Sequence, residues 1–298
     1  MPRHLKSTEA ITFAVADGVA RITLNRPERH NALSELLIDE LCGALLEADA
    51  RTDVNVLLLA GTGKSFCAGY DLTGVYAGYG AASGEDAIEY RTANGTIDDD
   101  CWTMEQTQRK LAIIPSLHKP VIAKIHGNCL AGGTDLAFSC DIVIAAEDCK
   151  IGFPAARANG TPPSNHWMYH CGPQWTKRLL FTGDTILGRD AARIGLVLDA
   201  YKAEELDAEA DRLARRIALV DADILATHKR VVNLAMELAG AQTLQRLATE
   251  LDARAHLSRG PRRARFRNDM AERGLKDALK NRDGDFGDSV VRLNWIGE

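Results

Sequence analysis

Two glycine-containing segments of this sequence have the residue types needed to stabilise negative charge on a carbonyl oxygen. They are SFCAGYDL at residues 65–72 and LAGGTDL at residues 130–136. A glycine turn after a strand exposes backbone N–H groups, and two such groups that converge on one oxygen form an oxyanion site. The helix predicted to begin in the second segment adds partial positive charge there. The pattern therefore predicts chemistry on a thioester carbonyl, through an enolate or a tetrahedral intermediate.

The acid Asp135 closely follows the glycine pair of the second segment. Two roles suit an aspartate at this place. It can transfer protons at the oxyanion site, or it can simply complement the helix dipole, an effect of about 0.3 to 1 kcal/mol. The residues alone leave both roles open.

Three other segments only partly match known nucleotide-binding or metal-binding motifs. Residues 63–65, Gly-Lys-Ser, follow a strand, but the phosphate-loop pattern needs a glycine where Leu58 stands. Residues 127–132 lack the second glycine of the dinucleotide-binding fingerprint. His166 and His170 lie four apart, but no glutamate lies between them and no third ligand is evident. We therefore predict neither a nucleotide loop nor a metal site.

The elements that must position the glycine turns alternate between strand and helix patterns. Such alternation predicts an α/β fold with buried, mainly parallel strands. The predicted segments are a hairpin over residues 11–24 with its turn at Asp17-Gly18, a helix from Ser34 to about residue 50, strands over 54–60, 120–126 and 141–146, and a helix over 134–139.

The chain changes character near residue 200. Three segments of helical period, rich in Ala, Leu, Arg and Glu, cover residues 203–220, 224–240 and 243–257. We predict a core domain over residues 1–200, which holds the oxyanion and ligand site, and a helical subdomain over 201–298 that serves oligomerisation. Residues 74–108 are expected to be a variable, mobile segment that covers part of the site.

Composition narrows the class of protein. The 298 residues are 46% hydrophobic and 26% charged, with a net charge of −5, which gives no general attraction to nucleic acid or anionic membrane. The arginine-rich segment 262–267 is interpreted as a solvated helix face or a site for an acidic ligand. Seven cysteines without a Cys-x-x-Cys pair, a polar amino terminus and no long apolar run predict a cytoplasmic protein with reduced thiols.

Several blocks together resemble the crotonase superfamily, the enoyl-CoA hydratase/isomerase family. Besides the two glycine segments they are RITLNRPE at 21–28, NAL at 31–33, KPVIA at 119–123, CDI at 140–142 and LFTGD at 180–184, so the resemblance spans roughly residues 10–200. It implies a crotonase-like spiral of ββα units with a carboxy-terminal helical subdomain. It also implies an acyl-CoA substrate, with coenzyme A as part of the thioester and no permanently bound cofactor, and a homotrimer or a hexamer built as a dimer of trimers.

Carried over position by position, the resemblance makes the backbone N–H groups of Tyr70 and Gly132 the oxyanion donors. Asp135 stands where hydratases of the family have the first of two glutamates, and Ala155 stands where they have the second. The carried-over coenzyme A contacts are Arg26, Lys64, Phe66, Ala68, Asp71, Leu72, Arg282 and Phe286.

Two further groups of residues are proposed from their chemical types. Aromatic and histidine side chains suit the wall of an acyl pocket. These are Trp102, His166, Trp167 and Tyr169. The candidates for the missing second acid or base are Asp98, Asp99, Asp100, Glu105, Arg157, Asn159, His166 and Tyr169.

The predicted reaction is hydration or dehydration of an enoyl-CoA. Because Ala155 cannot transfer a proton, alternatives stay open at this point. They are double-bond isomerisation with a single carboxylate, thioester hydrolysis, carbon–carbon bond cleavage, and acyl-CoA binding without turnover.

Overall fold

The computed structural model describes residues 2–72 and 96–293. The predicted hairpin is confirmed: β1 (Ile11–Ala16) and β2 (Val19–Leu24) pair antiparallel. Asp17 and Gly18 both adopt positive φ, of 53° and 74°, as a tight two-residue hairpin turn requires.

A six-stranded sheet forms the larger layer. Its strand order is β1-β2-β3-β4-β6-β9, and every pair after β1-β2 is parallel. The new strands are β3 (Val56–Gly61), β4 (Val121–Ile125), β6 (Ile142–Ala146) and β9 (Asp199–Tyr201). The apolar run of β3 is buried along nearly its whole length, which explains why it lacks the alternating pattern of a strand with one wet face.

A second, four-stranded sheet holds the glycine turns together. Its strands are β5 (Asn128–Leu130), β7 (Lys150–Gly152), β8 (Thr185–Leu187) and β10 (Val290–Val291), in the order β10-β8-β7-β5. An isolated bridge pairs Cys67 with Cys129 of β5. This bridge brings the first glycine segment beside the second.

The helices of the first 200 residues pack on these sheets. They are α1 (Glu35–Ala50), α2 (Ile97–Leu111), α3 (Gly132–Phe138), α4 (Trp167–Thr182) and α5 (Gly188–Arg193). Ser34 caps α1, since its hydroxyl accepts a hydrogen bond from the Leu37 N–H, as predicted. Gly172, with φ of 72°, interrupts α4 directly before Pro173.

The carboxy-terminal helices confirm the three predicted helical segments and add two more. They are α6 (Ala203–Ala218), α7 (Ala222–Leu238), α8 (Ala241–His256), α9 (Pro261–Arg273) and α10 (Leu275–Asp283). Helix α6 packs on the six-stranded sheet through a buried face that includes Leu206 and Ala210. Helix α8 packs against α2, so the carboxy-terminal region reaches the segment that precedes the second glycine turn.

Most of the segment predicted to be variable and mobile, residues 74–108, lies outside the described residues. From residue 96 onward it forms α2, which begins with a capping box between Thr96 and Asp99. Within the described ranges, no helix is both long enough and apolar enough to cross a membrane.

Candidate active site

The two glycine turns touch each other. Gly69 has φ of 112°, and a Cβ at this position would lie 3.0 Å from the Ala131 Cβ and 3.4 Å from the Gly132 nitrogen. Ala131 itself has a positive φ of 48°, which is costly for a residue with a side chain. The strained turn therefore sets the Gly132 N–H directly beside the Gly69-Tyr70 backbone.

Both predicted oxyanion donors are available. Gly132 is the first residue of α3, so its N–H has no acceptor within the helix. On either side of Tyr70, Leu33 donates its N–H to the Gly69 carbonyl at 2.8 Å and Asp71 donates to the Leu33 carbonyl at 3.0 Å. Within the described residues, this pairing leaves the Tyr70 N–H without a backbone acceptor.

Asp135 lies beneath the turns and is 1% exposed. Its Oδ2 accepts a hydrogen bond from the Tyr70 hydroxyl at 3.1 Å, and its Oδ1 accepts one from the Ser164 hydroxyl at 2.7 Å. The Gln108 amide of α2 donates to the same Tyr70 hydroxyl at 2.7 Å. The carboxylate is therefore held in a polar network that joins α2, α3 and the loop before α4.

Burial raises the pKa of Asp135 to about 7, because desolvation outweighs the hydrogen bonds from Ser164 and Tyr70. Burial and the neighbouring Asp135 charge also raise the pKa of Tyr70 well above its ordinary value. A carboxyl group that titrates near neutral pH is suited to give up and take back protons. The balance between the two roles left open for Asp135 thus shifts toward proton transfer.

A cavity of about 510 Å³ opens beside the glycine turns. Tyr70, Ala131 and Ala155 lie in its wall, whereas Asp135 does not. The Tyr70 ring explains the difference, since a Cβ at Gly132 would lie 2.7 Å from the Tyr70 Cε2. The phenol therefore covers the start of α3, and its hydroxyl is hydrogen-bonded to Asp135.

Half of the predicted coenzyme A contacts lie at this cavity. Ala68, Asp71, Leu72 and Arg282 line it. Arg26 pairs with Asp71 at 3.1 Å and so fixes this wall. These placements fit a ligand that runs past the first glycine turn.

The other predicted contacts have different surroundings. The Phe66 side chain is fully buried, so it packs in the core rather than facing a ligand. Lys64 is exposed on the surface. Phe286 is stacked by two guanidinium groups, with the Arg157 Cζ 3.9 Å and the Arg262 Cζ 4.8 Å from its ring centre.

None of the four side chains proposed for an acyl pocket is among the described residues that line the cavity. Trp102 lies on α2 and is 43% exposed, and Trp167 is fully buried with its ring edge-on to Phe138. The Tyr169 hydroxyl donates to the backbone carbonyl of Ala239, in the connection between α7 and α8. Burial lowers the pKa of His166 to about 4, so this histidine is neutral at physiological pH. The structure thus buries Trp167 and His166 in packing positions and leaves Trp102 largely exposed.

The proposed replacements for the second acid are also mostly engaged elsewhere. Glu105 pairs with Arg109 on the surface of α2, and the guanidinium of Arg157 pairs with Asp184 at 3.0 Å. Asp100 differs in that its partner lines the cavity. Its Oδ2 lies 2.8 Å from the Nδ1 of His256.

Among the ionisable residues of the cavity wall that sequence reasoning missed, Asp252 and His256 both come from α8. Their spacing of four residues, which puts them on one face of a helix, was the available signal. The described residues contain no group of three or more His, Cys, Asp or Glu side chains placed to bind a metal ion.

Fold and site together define an α/β protein in which two glycine turns meet beside a cavity, and comparison with known proteins specifies its family. The chain matches the enoyl-CoA hydratase/isomerase family over residues 14–263 and belongs to it. Its fold is the crotonase-like one predicted, as solved structures show. A Mycobacterium smegmatis enoyl-CoA hydratase has a TM-score of 0.86 at 36% identity, with 97% of this chain and 98% of that chain covered.

Two further relatives agree. An enoyl-CoA hydratase/isomerase from Xanthobacter autotrophicus has a TM-score of 0.83 at 31% identity, with 94% and 99% of the two chains covered. A crotonyl-CoA hydratase from Syntrophomonas wolfei is 32% identical over 213 residues, which are 70% of this chain and 75% of that one.

Proposed function

We propose that this chain adds water reversibly to the double bond of a 2-enoyl-CoA thioester. The observation that carries the proposal is the contact of the two glycine turns, together with the buried acid Asp135, which accepts a hydrogen bond from the Tyr70 hydroxyl. Membership of the enoyl-CoA hydratase/isomerase family, and a relative named crotonyl-CoA hydratase, support the same reaction.

The two N–H groups act on the thioester oxygen. Hydrogen bonds from Tyr70 and Gly132 draw electron density onto that oxygen, so Cβ of the conjugated double bond becomes electrophilic. Attack by water then yields an enolate whose negative charge lies on the same oxygen. Because these donors are fixed backbone groups, they need no rearrangement as the charge develops.

Asp135 supplies a proton for the enolate. With its pKa near 7 it is partly protonated at neutral pH. Tyr70 lines the cavity and its hydroxyl is hydrogen-bonded to Asp135, so we propose that the proton reaches the substrate Cα through this hydroxyl, which takes a proton from Asp135 in return.

Coenzyme A enters as part of the substrate rather than as a resident cofactor. Arg29 and Arg282 in the cavity wall provide positive charge for its phosphate groups, and Leu72 provides apolar surface for its chain. We further propose that the protein works in the cytoplasm with its cysteines reduced, as a homo-oligomer without nucleic acid or membrane partners. The free thiol state of all seven cysteines supports this setting.

A double-bond isomerase is the second candidate. Ala155 in the cavity wall favours it, because a single carboxylate can remove and return one proton in an isomerisation. The two reactions differ in their products, since only hydration adds the mass of a water molecule.

The test uses purified protein with a panel of 2-enoyl-CoA and 3-enoyl-CoA thioesters. We expect the ultraviolet absorbance of the conjugated 2-enoyl thioester to fall and mass spectrometry to find a 3-hydroxyacyl-CoA. Conversion of 3-enoyl to 2-enoyl thioesters without added mass would favour the isomerase. Acyl-CoA binding without any turnover would contradict both reactions and support a binding protein.

Gly132→Pro removes one oxyanion donor. Its matched control is Gly132→Ala, which adds the same contact with the Tyr70 ring but keeps the N–H. We expect kcat of the proline variant to fall about 100- to 1000-fold below that of the alanine variant. Equal kcat values in two folded variants, checked by circular dichroism, would argue against the Gly132 donor.

A further inference from the structure

The cavity beside the glycine turns has a second ionisable wall. Asp252 and His256, both from α8, line the same cavity as Tyr70, Ala131 and Ala155. Hydration needs one group to accept the proton of the attacking water and another to protonate Cα, and Ala155 can do neither. The part of the cavity wall formed by α8 therefore contains the candidates for the second proton-transfer group.

Asp252 is buried, at 6% exposure, and one of its oxygens is fixed. Its Oδ1 accepts a hydrogen bond from the Thr161 N–H at 2.8 Å. Among the described residues, no group donates a hydrogen bond to the other oxygen, Oδ2. A buried carboxylate with one oxygen held and the other free is arranged to bind a ligand that enters the cavity, such as a water molecule.

His256 connects Asp252 to a second carboxylate. Its Nδ1 lies 2.8 Å from the Asp100 Oδ2, and its Nε2 lies 3.6 Å from the Asp252 Oδ1. Burial by itself lowers the pKa of His256, but the hydrogen bond to Asp100 and the charge of Asp252 outweigh it and raise the pKa. The imidazole thus lies between two carboxylates and orients Asp252.

Asp252 is electrostatically coupled to the oxyanion site. Its negative charge helps to raise the pKa of both Asp135 and Tyr70. Burial raises the pKa of Asp252 to about 6, with Asp100 adding to the rise and His256 and Arg263 opposing it. Between pH 6 and 7 the pair of Asp135 and Asp252 therefore holds about one proton, so one carboxyl is ionised while the other is protonated.

We propose that Asp252 is the second acid–base residue of the active site, and that His256 and Asp100 are positioning residues for it. The proposal rests on the hydration reaction proposed above. In the forward direction Asp252 takes a proton from water as the water oxygen bonds to Cβ. Cα receives the Tyr70 proton, and protonated Asp135 restores the hydroxyl. Asp252 then releases its proton to solvent and Asp135 takes one up, so the cycle adds one H2O.

A purely structural role for Asp252 makes different predictions. In that case the carboxylate only ties α8 to the Thr161 backbone, and its loss would change stability and substrate binding rather than the pH dependence of turnover. The experiment must therefore separate kcat from KM and record both against pH.

The principal variant is Asp252→Asn, which keeps the shape and the acceptor for Thr161 but does not exchange protons. Its matched control is Glu250→Gln, the same chemical change on an exposed residue of the same helix that pairs with Arg254. We expect Asp252→Asn to lower kcat for 2-enoyl-CoA hydration about 100- to 10,000-fold, while KM and the melting temperature stay close to wild type. Glu250→Gln should match wild type in all three.

Two more variants test the geometry. Gly160→Ala leaves every charge in place, but its methyl group would overlap the Asp252 Oδ1, so it moves the carboxylate and should also lower kcat. His256→Gln removes a side chain whose charge lowers the Asp252 pKa, so the acidic limb of the kcat profile should move to higher pH. A structural role would not move that limb.

The possible failures can be told apart. If wild type converts no enoyl-CoA thioester, the hydration reaction itself is wrong. If wild type turns over and Asp252→Asn keeps its kcat and pH profile, only the role of Asp252 is wrong. A rise in KM with unchanged kcat would likewise overturn the proposal, because it would make Asp252 a binding residue.

Discussion

Asp135 is a buried carboxyl whose proton affinity is set by its surroundings. Burial raises its pKa to about 7, while the hydroxyl groups of Tyr70 and Ser164 partly offset that rise. A family glutamate would reach farther toward the substrate than this aspartate does. In this structure the Tyr70 hydroxyl donates a hydrogen bond to this shorter acid at 3.1 Å.

The raised pKa predicts that stability depends on pH through Asp135. The folded state favours the protonated form of Asp135. The stabilisation that this preference adds to the free energy of unfolding is fully present below the unfolded pKa of about 3.9 and is lost as pH rises through 7. Relative to Asp135→Asn, the free energy of unfolding of wild type should fall by up to about 4 kcal/mol over this range. Urea denaturation at a series of pH values measures the difference.

The exposed variant Glu250→Gln serves as the control for that series, and its pH dependence should follow wild type. Parallel curves for wild type and Asp135→Asn would mean that Asp135 titrates in the folded protein much as it does in the unfolded chain.

At the scale of elements, α7 is fastened to the six-stranded sheet by a buried ion pair. Lys229 donates to the Asp141 Oδ2 at 2.8 Å and to the backbone carbonyls of Ile114 and Lys119 at 2.8 and 3.0 Å. The same oxygen of Asp141 accepts the Val121 N–H at 2.7 Å. Asp141 thus joins α7 to the start of β4.

Lys229→Met should therefore destabilise the protein strongly. It leaves the Asp141 charge and two carbonyl groups without their donor, a loss of about 3 to 5 kcal/mol in the free energy of unfolding. The neighbouring exposed residue provides the control, since Arg230→Met should change stability by less than about 0.5 kcal/mol. Chemical denaturation measures both variants, and equal midpoints would contradict the assigned role of the pair.

At the scale of the whole molecule, an apolar face is left on the carboxy-terminal helices. The exposed side chains lie on α7 and α8 and are Val231, Val232, Leu234, Leu238, Leu247 and Leu251. Several large apolar side chains left exposed on neighbouring helices are typical of a surface that contacts another protein. It supports the prediction that the helical region serves oligomerisation.

We expect wild type to have three or six times the mass of one chain in solution, as light scattering after size-exclusion chromatography would measure. The double variant Val231→Lys with Leu238→Lys should shift the protein to smaller species, because a charge buried at an interface is costly. Glu272→Lys, on the exposed surface of α9, should leave the mass unchanged. A monomeric wild type would contradict the predicted assembly.

Local patterns decided much of the fold. The Asp17-Gly18 turn, the Ser34 cap and the apolar run of β3 each depend on interactions within a few residues, so the sequence by itself predicted the hairpin, α1 and the parallel strand. The two glycine turns were also predictable, because a positive φ such as that of Gly69 is a local backbone conformation that favours glycine. The family blocks then indicated how these parts are arranged.

Only the tertiary structure decided how the site is completed. Asp252 and His256 come from a helix whose sequence shows nothing but helical period and an ordinary spacing of four residues. Their place in the site depends on two tertiary contacts. Helix α8 packs against α2, which brings Asp100 to His256, and the Thr161 N–H donates a hydrogen bond to Asp252. Burial and the charges of distant residues set the pKa values of both carboxyl groups. These are properties of packed neighbours, and no local stretch of sequence contains them.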